Sequence, residues 1–197
     1  MWIHVQEQRR LWFAKRFALP SMLQSYQYVW LVDDDAELLF DPLHYQCVVK
    51  TLGIPLSAPG RLAGALSHDI TRLNDEYKNK TGRWTDFVET GPVVIASSAA
   101  WQCILQYLDP STGSGWGLDS VWCRMLAGLC FPEADRFHVC AIVDVFGVNH
   151  QSAVINSAYY GVPELSVYEK YYKDWSSAHH TYGPLALNDS FMALCRV

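Results

Sequence analysis

The sequence predicts an α/β domain with a mixed, mostly parallel central sheet flanked by helices, and three observations carry that expectation. The run Tyr28-Val29-Trp30-Leu31-Val32 joins β-branched and aromatic residues in a short apolar stretch, the composition of a strand covered on both faces. Stretches like it alternate along the chain with segments of helical spacing. Half of the 197 residues are hydrophobic, with eight Trp and eleven Tyr among them, enough to bury one sizeable core. A single globular domain is expected.

From Trp2 to about Phe17, apolar residues interleave with Gln, Glu, Arg and Lys at an imperfect helical spacing that Leu19-Pro20 breaks. A short helical turn through Met22 and Leu23 then leads to the strand. Asp41-Pro42 reads as an N-cap with proline at the first helical position, opening a helix through Tyr45, Val48, Val49 and Leu52 that Gly53 stops. Leu56 to Ala58 reads as a second strand and Pro59-Gly60 as a turn. The polar segment from His68 to Arg72, with Tyr77 to Gly82 after it, reads as exposed loop or hairpin. Arg83 to Val88 and Val93 to Ala96 have strand composition around Gly91-Pro92, and Ser98 opens a helix through Trp101, Ile104, Leu105 and Leu108. A flexible connector from Asp109 to Gly115 leads to a helix from Leu118 through Val121, Trp122, Met125 and Leu126 to Gly128. Phe137 to Val143 and Val145 to Val148 read as two further strands, the second ending at Asn149-His150. No internal repeat is present.

The net charge of -5 and the lack of a dense Lys/Arg run argue against a nucleic-acid partner, because phosphate backbones are held by clustered positive charge. No apolar run reaches the roughly 20 residues that span a bilayer, so no membrane segment is expected and the chain as written reads as soluble. The six cysteines lack Cys-x-x-Cys spacing and lie mostly in apolar segments. Buried free thiols are therefore expected, and a zinc site is not. Asn79-Lys80-Thr81 and Asn188-Asp189-Ser190 fit the N-glycosylation pattern, which acts only on a chain that enters the secretory pathway.

Asp33, Asp34 and Asp35 close the first strand, and adjacent carboxylates repel one another. Either the side chains stay in water and bond the backbone of a strand-ending turn, or hard carboxylate oxygens hold a divalent cation and, through it, a phosphate. Both readings stand on the acids alone. The alternation Asp33-x-Asp35 after an apolar strand is also the pattern that nucleotide-sugar glycosyltransferases of the A-type (GT-A) fold present.

An ordered series of motifs extends that pattern over roughly residues 11 to 155. The series runs from Leu11-Trp12-Phe13-Ala14-Lys15-Arg16-Phe17 to Tyr28 through Asp35 and then His68-Asp69-Ile70-Thr71. It continues with Val88-Glu89, Pro92-Val93, Trp101-Gln102-Cys103, Gly115-Trp116-Gly117-Leu118-Asp119, Val143-Asp144 and Val148-Asn149-His150-Gln151. In order and spacing it resembles the mainly plant family known as domain of unknown function 707, whose members are similar to GT-A glycosyltransferases.

The resemblance implies a metal-dependent glycosyltransferase that moves a sugar from a nucleotide-sugar donor to a glycan or other hydroxyl acceptor, with Mn²⁺ or Mg²⁺ as cofactor. By match, Asp35 and His150 ligate the cation, Asp33 lies near the donor or the metal's water shell, and Asp34 supports it. Asp119 takes the place of the general base, which implies inversion of the anomeric centre. Its plainer reading is an acid interacting with a helix N-terminus. Glu89 and Trp116 are candidates for gripping the acceptor, by hydrogen bonding and by stacking, and both also suit packing roles. His68 and Arg72 are candidates near the donor phosphates. If an anchor lies upstream, the compartment implied is the secretory pathway or Golgi lumen.

Only 27 residues precede the acid-bearing strand, short of the ~30 or more that a βαβ unit occupies. Most of the amino-terminal nucleotide-binding half is therefore expected to be missing, as in a fragment or an abbreviated domain. On this reading residues 1–155 form a partial GT-A-like core. Residues 156–197, with Tyr168, Tyr171, Tyr172 and Trp175, form a Tyr-rich extension packed on it. A non-catalytic, degenerate carbohydrate-binding or scaffold domain is the alternative function, and a metal-dependent phosphoesterase a third.

Overall fold

The computed structural model describes residues 10–62, 68–108, 115, 117–135, 137–150 and 180–195. Two helices, α1 (Arg10–Phe17) and α2 (Pro20–Leu23), precede β1 (Tyr28–Val32) and β2 (Ala36–Leu38). Next come α3 (Pro42–Thr51), β3 (Leu56–Arg61), a 3₁₀ turn (Asp69–Thr71) and α4 (Asp75–Lys78). After β4 (Gly82–Thr85), β5 (Val93–Ser97) leads directly into α5 (Ser98–Tyr107). The chain ends with α6 (Trp122–Met125), a π-helical turn (Leu126–Cys130), β6 (Cys140–His150), β7 (Thr181–Leu185) and α7 (Asp189–Leu194).

All seven strands form one sheet of order β1-β5-β3-β6-β4-β7, with β2 added beside β6. The architecture is mixed α/β, as expected, but the sheet is mostly antiparallel: among the described strands only β3 and β6 pair in parallel. Apolar composition reports how a strand is covered and carries no record of its neighbours' direction, so the mostly parallel expectation had nothing to hold it. Likewise β1 lies at the sheet edge, where Val32 is 42% exposed, and not at the centre.

The sheet separates two apolar layers by the alternation of side chains along its strands. Val94, Ala96, Leu56, Cys140 and Ile142 face α5 and α6 together with Trp101, Ile104, Leu118 and Trp122. Val93, Ile95, Ala141 and Val143 face α3 through Tyr45, Val48 and Val49. Trp101 and Trp122 are fully buried, and truncating either to Ala would cost about 3–5 kcal/mol. Helix α3 starts as the sequence dictates: Asp41 accepts a hydrogen bond from Leu43 N at 2.8 Å, Pro42 sits in the first turn, and Gly53 takes φ +65° just beyond the end. The helix expected from Leu118 begins only at Trp122, after a stretch of turn, and gives way to the π turn.

Three strand boundaries differ from the sequence reading, and each shift helps build the site. Pro59-Gly60 is no turn: β3 continues to Arg61 with every residue buried, and its register against β6 shifts between Pro59 and Gly60. Gly60 is required there, since a Cβ would lie 2.9 Å from Leu73 Cα. The two strands expected around residue 144 are one continuous β6. Asp144 looked like a break, yet its side chain is fully buried and paired with Arg83, itself 2% exposed. β4 stops at Thr85, leaving Asp86 to Thr90 to approach the site as irregular chain.

The free-thiol expectation is overturned. Cys47 is bonded to Cys195, Cys103 to Cys130 and Cys123 to Cys140, with Cα separations of 5.4, 6.0 and 5.7 Å. Partners come from different elements, so no local spacing announced them. Among the described residues, no helix is long and apolar enough to cross a membrane. Tyr168, Tyr171, Tyr172 and Trp175 lie outside the described residues, as does the connector 109–114. Residues 180–195 return to the same sheet through β7, which pairs with β4.

Candidate active site at the ends of β1, β3 and β6

The acidic turn is set by the strands on either side of it. Asp33 N donates to Pro92 O at 2.8 Å and Ala36 N to Asp33 O at 3.1 Å, which reverses the chain within three residues and sends β2 back along β6. The register then places Ala36 opposite His150. β6 is long enough to lie beside β4 in its first half and beside β2 in its second, so its last residue meets the acids.

Asp33, Asp35 and His150 each offer one ligand atom, and these atoms all lie within 4.8 Å of one another. His150 Nε2 is 3.1 Å from Asp35 Oδ1. Asp34 is exposed and stands apart from this group, which matches the solvated-turn reading for that one acid. Arg10 of α1 donates to the Asp33 carboxylate and, with its other terminal nitrogen, to the carbonyl of Thr90. Burial pushes the Asp33 carboxyl above its usual range; Arg10 and His150 oppose that shift, and the neighbouring carboxylates of Asp35 and Asp34 add to it.

On the other side of His150 lies Arg61, whose side chain is 7% exposed. Its Nη2 donates to His150 Nδ1 at 3.2 Å and its Nη1 to Glu89 Oε2 at 2.5 Å. Asp119 lies beyond Glu89. The residue keeps some exposure while its carboxyl group is nearly enclosed, and burial, with the Glu89 charge adding, pushes that carboxyl up to about 7. Backbone N–H groups of Thr90, Ser120 and Asp119 itself oppose the shift. Gly115 and Gly117 adopt φ of +76° and +87° in the loop before Asp119. A Cβ on Gly115 would lie 2.3 Å from Leu11 Cδ1 and 3.3 Å from Thr90 Cγ2, so the loop packs as close as glycine permits.

Hydrogen bonds and ion pairs join Arg10 to Asp33 and to Thr90, and link Asp35 to His150, Arg61 and Glu89, while Asp33 with Asp35 and Glu89 with Asp119 are like charges that raise one another's carboxyl groups and so complete a circuit. A family described as Protein of unknown function (DUF707) matches residues 1–160 and so contains every residue of this circuit. The chain belongs to this family. No curated protein matches it, and no solved structure does.

In this DUF707 chain the donor set suits a hard or borderline divalent cation: two carboxylate oxygens and one imidazole nitrogen. Ligand atoms about 2.0–2.1 Å from an ion of Mg²⁺ size can be no more than ~4.2 Å apart, so a contraction of about 0.6 Å or less closes the site. A neutral imidazole that gives Nε2 to a metal carries its proton on Nδ1, the atom that now accepts from Arg61. The Arg61 bond would then be exchanged, with Glu89 still holding the guanidinium.

Other residues singled out in the sequence fall elsewhere. Trp116 lies outside the described residues. His68 is exposed with its ring centroid 4.8 Å from that of Phe87 at a tilt of 59°, and Arg72 pairs with Asp69 at the surface. Arg83 donates to the carbonyls of Ile70 and Arg72 while its other nitrogen meets Asp144, so the His68-to-Arg72 and Val143-Asp144 motifs form a structural clasp. Arg10 and Arg61 went unrecognised as site residues: Arg10 lay in an amphipathic run, and Arg61 followed an apparent turn. A second feature had no sequence signal, a cleft of about 640 Å³ whose lining includes Asp86, Arg124, His180 and Tyr182. Burial alone would push the Asp86 carboxyl up, but hydrogen bonds from His180, Arg124 and Tyr182 hold it below its usual range.

Proposed function

We propose that this DUF707 chain is a divalent-cation-dependent glycosyltransferase of the GT-A type, transferring a sugar from a nucleotide-sugar donor to a hydroxyl acceptor with inversion. The observation that carries the reading is the meeting of Asp33, Asp35 and His150, from opposite ends of the matched region, within 4.8 Å. Asp35 and His150 would hold Mn²⁺ or Mg²⁺ directly, with Asp33 as third ligand or support for the water shell. A bound cation supplies Lewis-acid stabilisation of the charge that builds on a departing nucleoside diphosphate.

The chain's own residues do the rest. Asp119, with a carboxyl pushed up to about 7, is a competent base at neutral pH for the acceptor hydroxyl, whose proton it takes as the oxygen attacks. The Glu89 charge helps to keep the base's acidity low, and its carboxylate would accept a hydrogen bond from an acceptor hydroxyl. Arg10 and Arg61 place positive charge on both flanks of the carboxylates, which favours an incoming diphosphate. The three disulfides support an oxidising compartment, such as the lumen of the secretory pathway.

Isothermal calorimetry with MnCl₂ and a panel of nucleotide sugars tests the reading. Donor binding that needs Mn²⁺ and is lost in Asp35→Ala supports it. Glycan binding that ignores both Mn²⁺ and Asp35→Ala would replace it with a carbohydrate-binding domain.

A further inference from the structure

We infer that Asn79 is an N-glycosylation site, modified by an N-linked oligosaccharide while the chain is still unfolded. The inference rests on the oxidising compartment that the disulfides indicate and not on the sugar-transfer chemistry, so the two stand or fall separately.

Three observations meet at this position. Asn79-Lys80-Thr81 is an acceptor sequence of the Asn-x-Thr type. Cys47–Cys195, Cys103–Cys130 and Cys123–Cys140 leave no free cysteine, the pattern of a chain that folds where thiols are oxidised and where such acceptor sequences are used. Asn79 itself is exposed, at the C-terminal cap of α4, on a turn closed by Lys80 N donating to Tyr77 O at 2.9 Å. Among the described residues its side-chain amide makes no hydrogen bond. The other match differs: Asn188 Oδ1 caps α7, accepting from Phe191 N at 3.1 Å and from Ser190 Oγ at 2.5 Å.

Thr81 fixes the order of events. Its hydroxyl must be presented together with the amide for the sequence to be read, yet in the folded chain Thr81 is 4% exposed and its carbonyl accepts from Val145 N at 3.1 Å. Modification therefore precedes the docking of β4 on β6. In the reaction an N–H bond of the Asn79 amide and the C1–O bond of a lipid-diphosphate oligosaccharide break. An N–C1 bond forms, and the proton leaves with the lipid diphosphate.

The test uses the full chain directed into the secretory pathway of a eukaryotic cell line and purified from the medium. Expected is a mass decrease on peptide-N-glycosidase treatment, with ¹⁸O incorporated at residue 79 when the digestion is run in H₂¹⁸O. Asn79→Gln should abolish that label while leaving the Mn²⁺ and donor calorimetry unchanged. Purified, folded, unmodified chain should not be glycosylated by added transferase and lipid donor. An oxidised, secreted chain with bare Asn79 overturns the inference, as does alkylation showing its cysteines free.

Discussion

Arg61 Nη2 lies 3.2 Å from His150 Nδ1, while the other end of the same guanidinium holds Glu89. A guanidinium only donates, so the neutral ring is held with its proton on Nε2, facing Asp35 at 3.1 Å. That tautomer is the wrong one for a metal at Nε2. Replacing Arg61 by Gln removes the competing donor and the nearby positive charge, and supplies an amide oxygen able to accept from Nδ1–H. Arg61→Gln is therefore expected to bind Mn²⁺ several-fold more tightly by calorimetry while losing stability in urea. Unchanged or weaker Mn²⁺ binding would mean that His150 does not ligate through Nε2.

Asp119 supplies a pH signature on two separate axes. Its carboxyl is raised from 3.8 to about 7, chiefly by burial. In the role proposed above it works when deprotonated, so kcat/KM should rise with pH through a limb near 7, and Asp119→Asn should abolish activity along with that limb. For stability the sign is opposite. Between about pH 4 and 7 the folded state binds a proton that the unfolded state has released, so stability falls as pH rises through that window. Asp119→Asn should remove this slope, which urea unfolding at pH 4.5 and 7.5 can read directly.

How much of this was visible in the sequence depends on how local the signal was. Asp41-Pro42 and Gly53 bounded α3 because caps are local chemistry, and Tyr28 to Val32 announced a strand because its composition is. Asp33, Asp35 and His150 were candidates from sequence and do lie together, though only the β2–β6 register explains how. Strand direction, the disulfides and Arg61 were hidden because each depends on which distant segment pairs with which. Asp144 misled for the same reason: a carboxylate reads as a surface break unless the partner that neutralises it, Arg83, is known.

The Cys123–Cys140 bond joins α6, just after Asp119, to the first residue of β6. Removing it in a Cys123→Ala/Cys140→Ala double variant should lower unfolding free energy by about 2–4 kcal/mol, chiefly by releasing the unfolded chain from a short loop. Urea denaturation of the oxidised wild type against the variant measures this. An unchanged midpoint would mean that the two thiols are not bonded in solution.

The Arg83–Asp144 pair separates structural from site chemistry. Both side chains are buried, Asp144 also accepts from Asn74 N at 2.9 Å, and burial pushes its carboxyl up against the pull of Arg83. Asp144→Ala strands a guanidinium inside the protein with no countercharge, and losing one partner of a buried pair costs about 3–5 kcal/mol. The double variant Arg83→Met/Asp144→Leu removes both charges and should recover much of that loss, since no ion is then left desolvated. Asp144 lies in β6 upstream of His150 and outside the group of Asp33, Asp35 and His150. Any of these variants that folds should therefore keep the wild-type Mn²⁺ affinity. A variant that folds normally but no longer binds Mn²⁺ would move Asp144 from the clasp into the site.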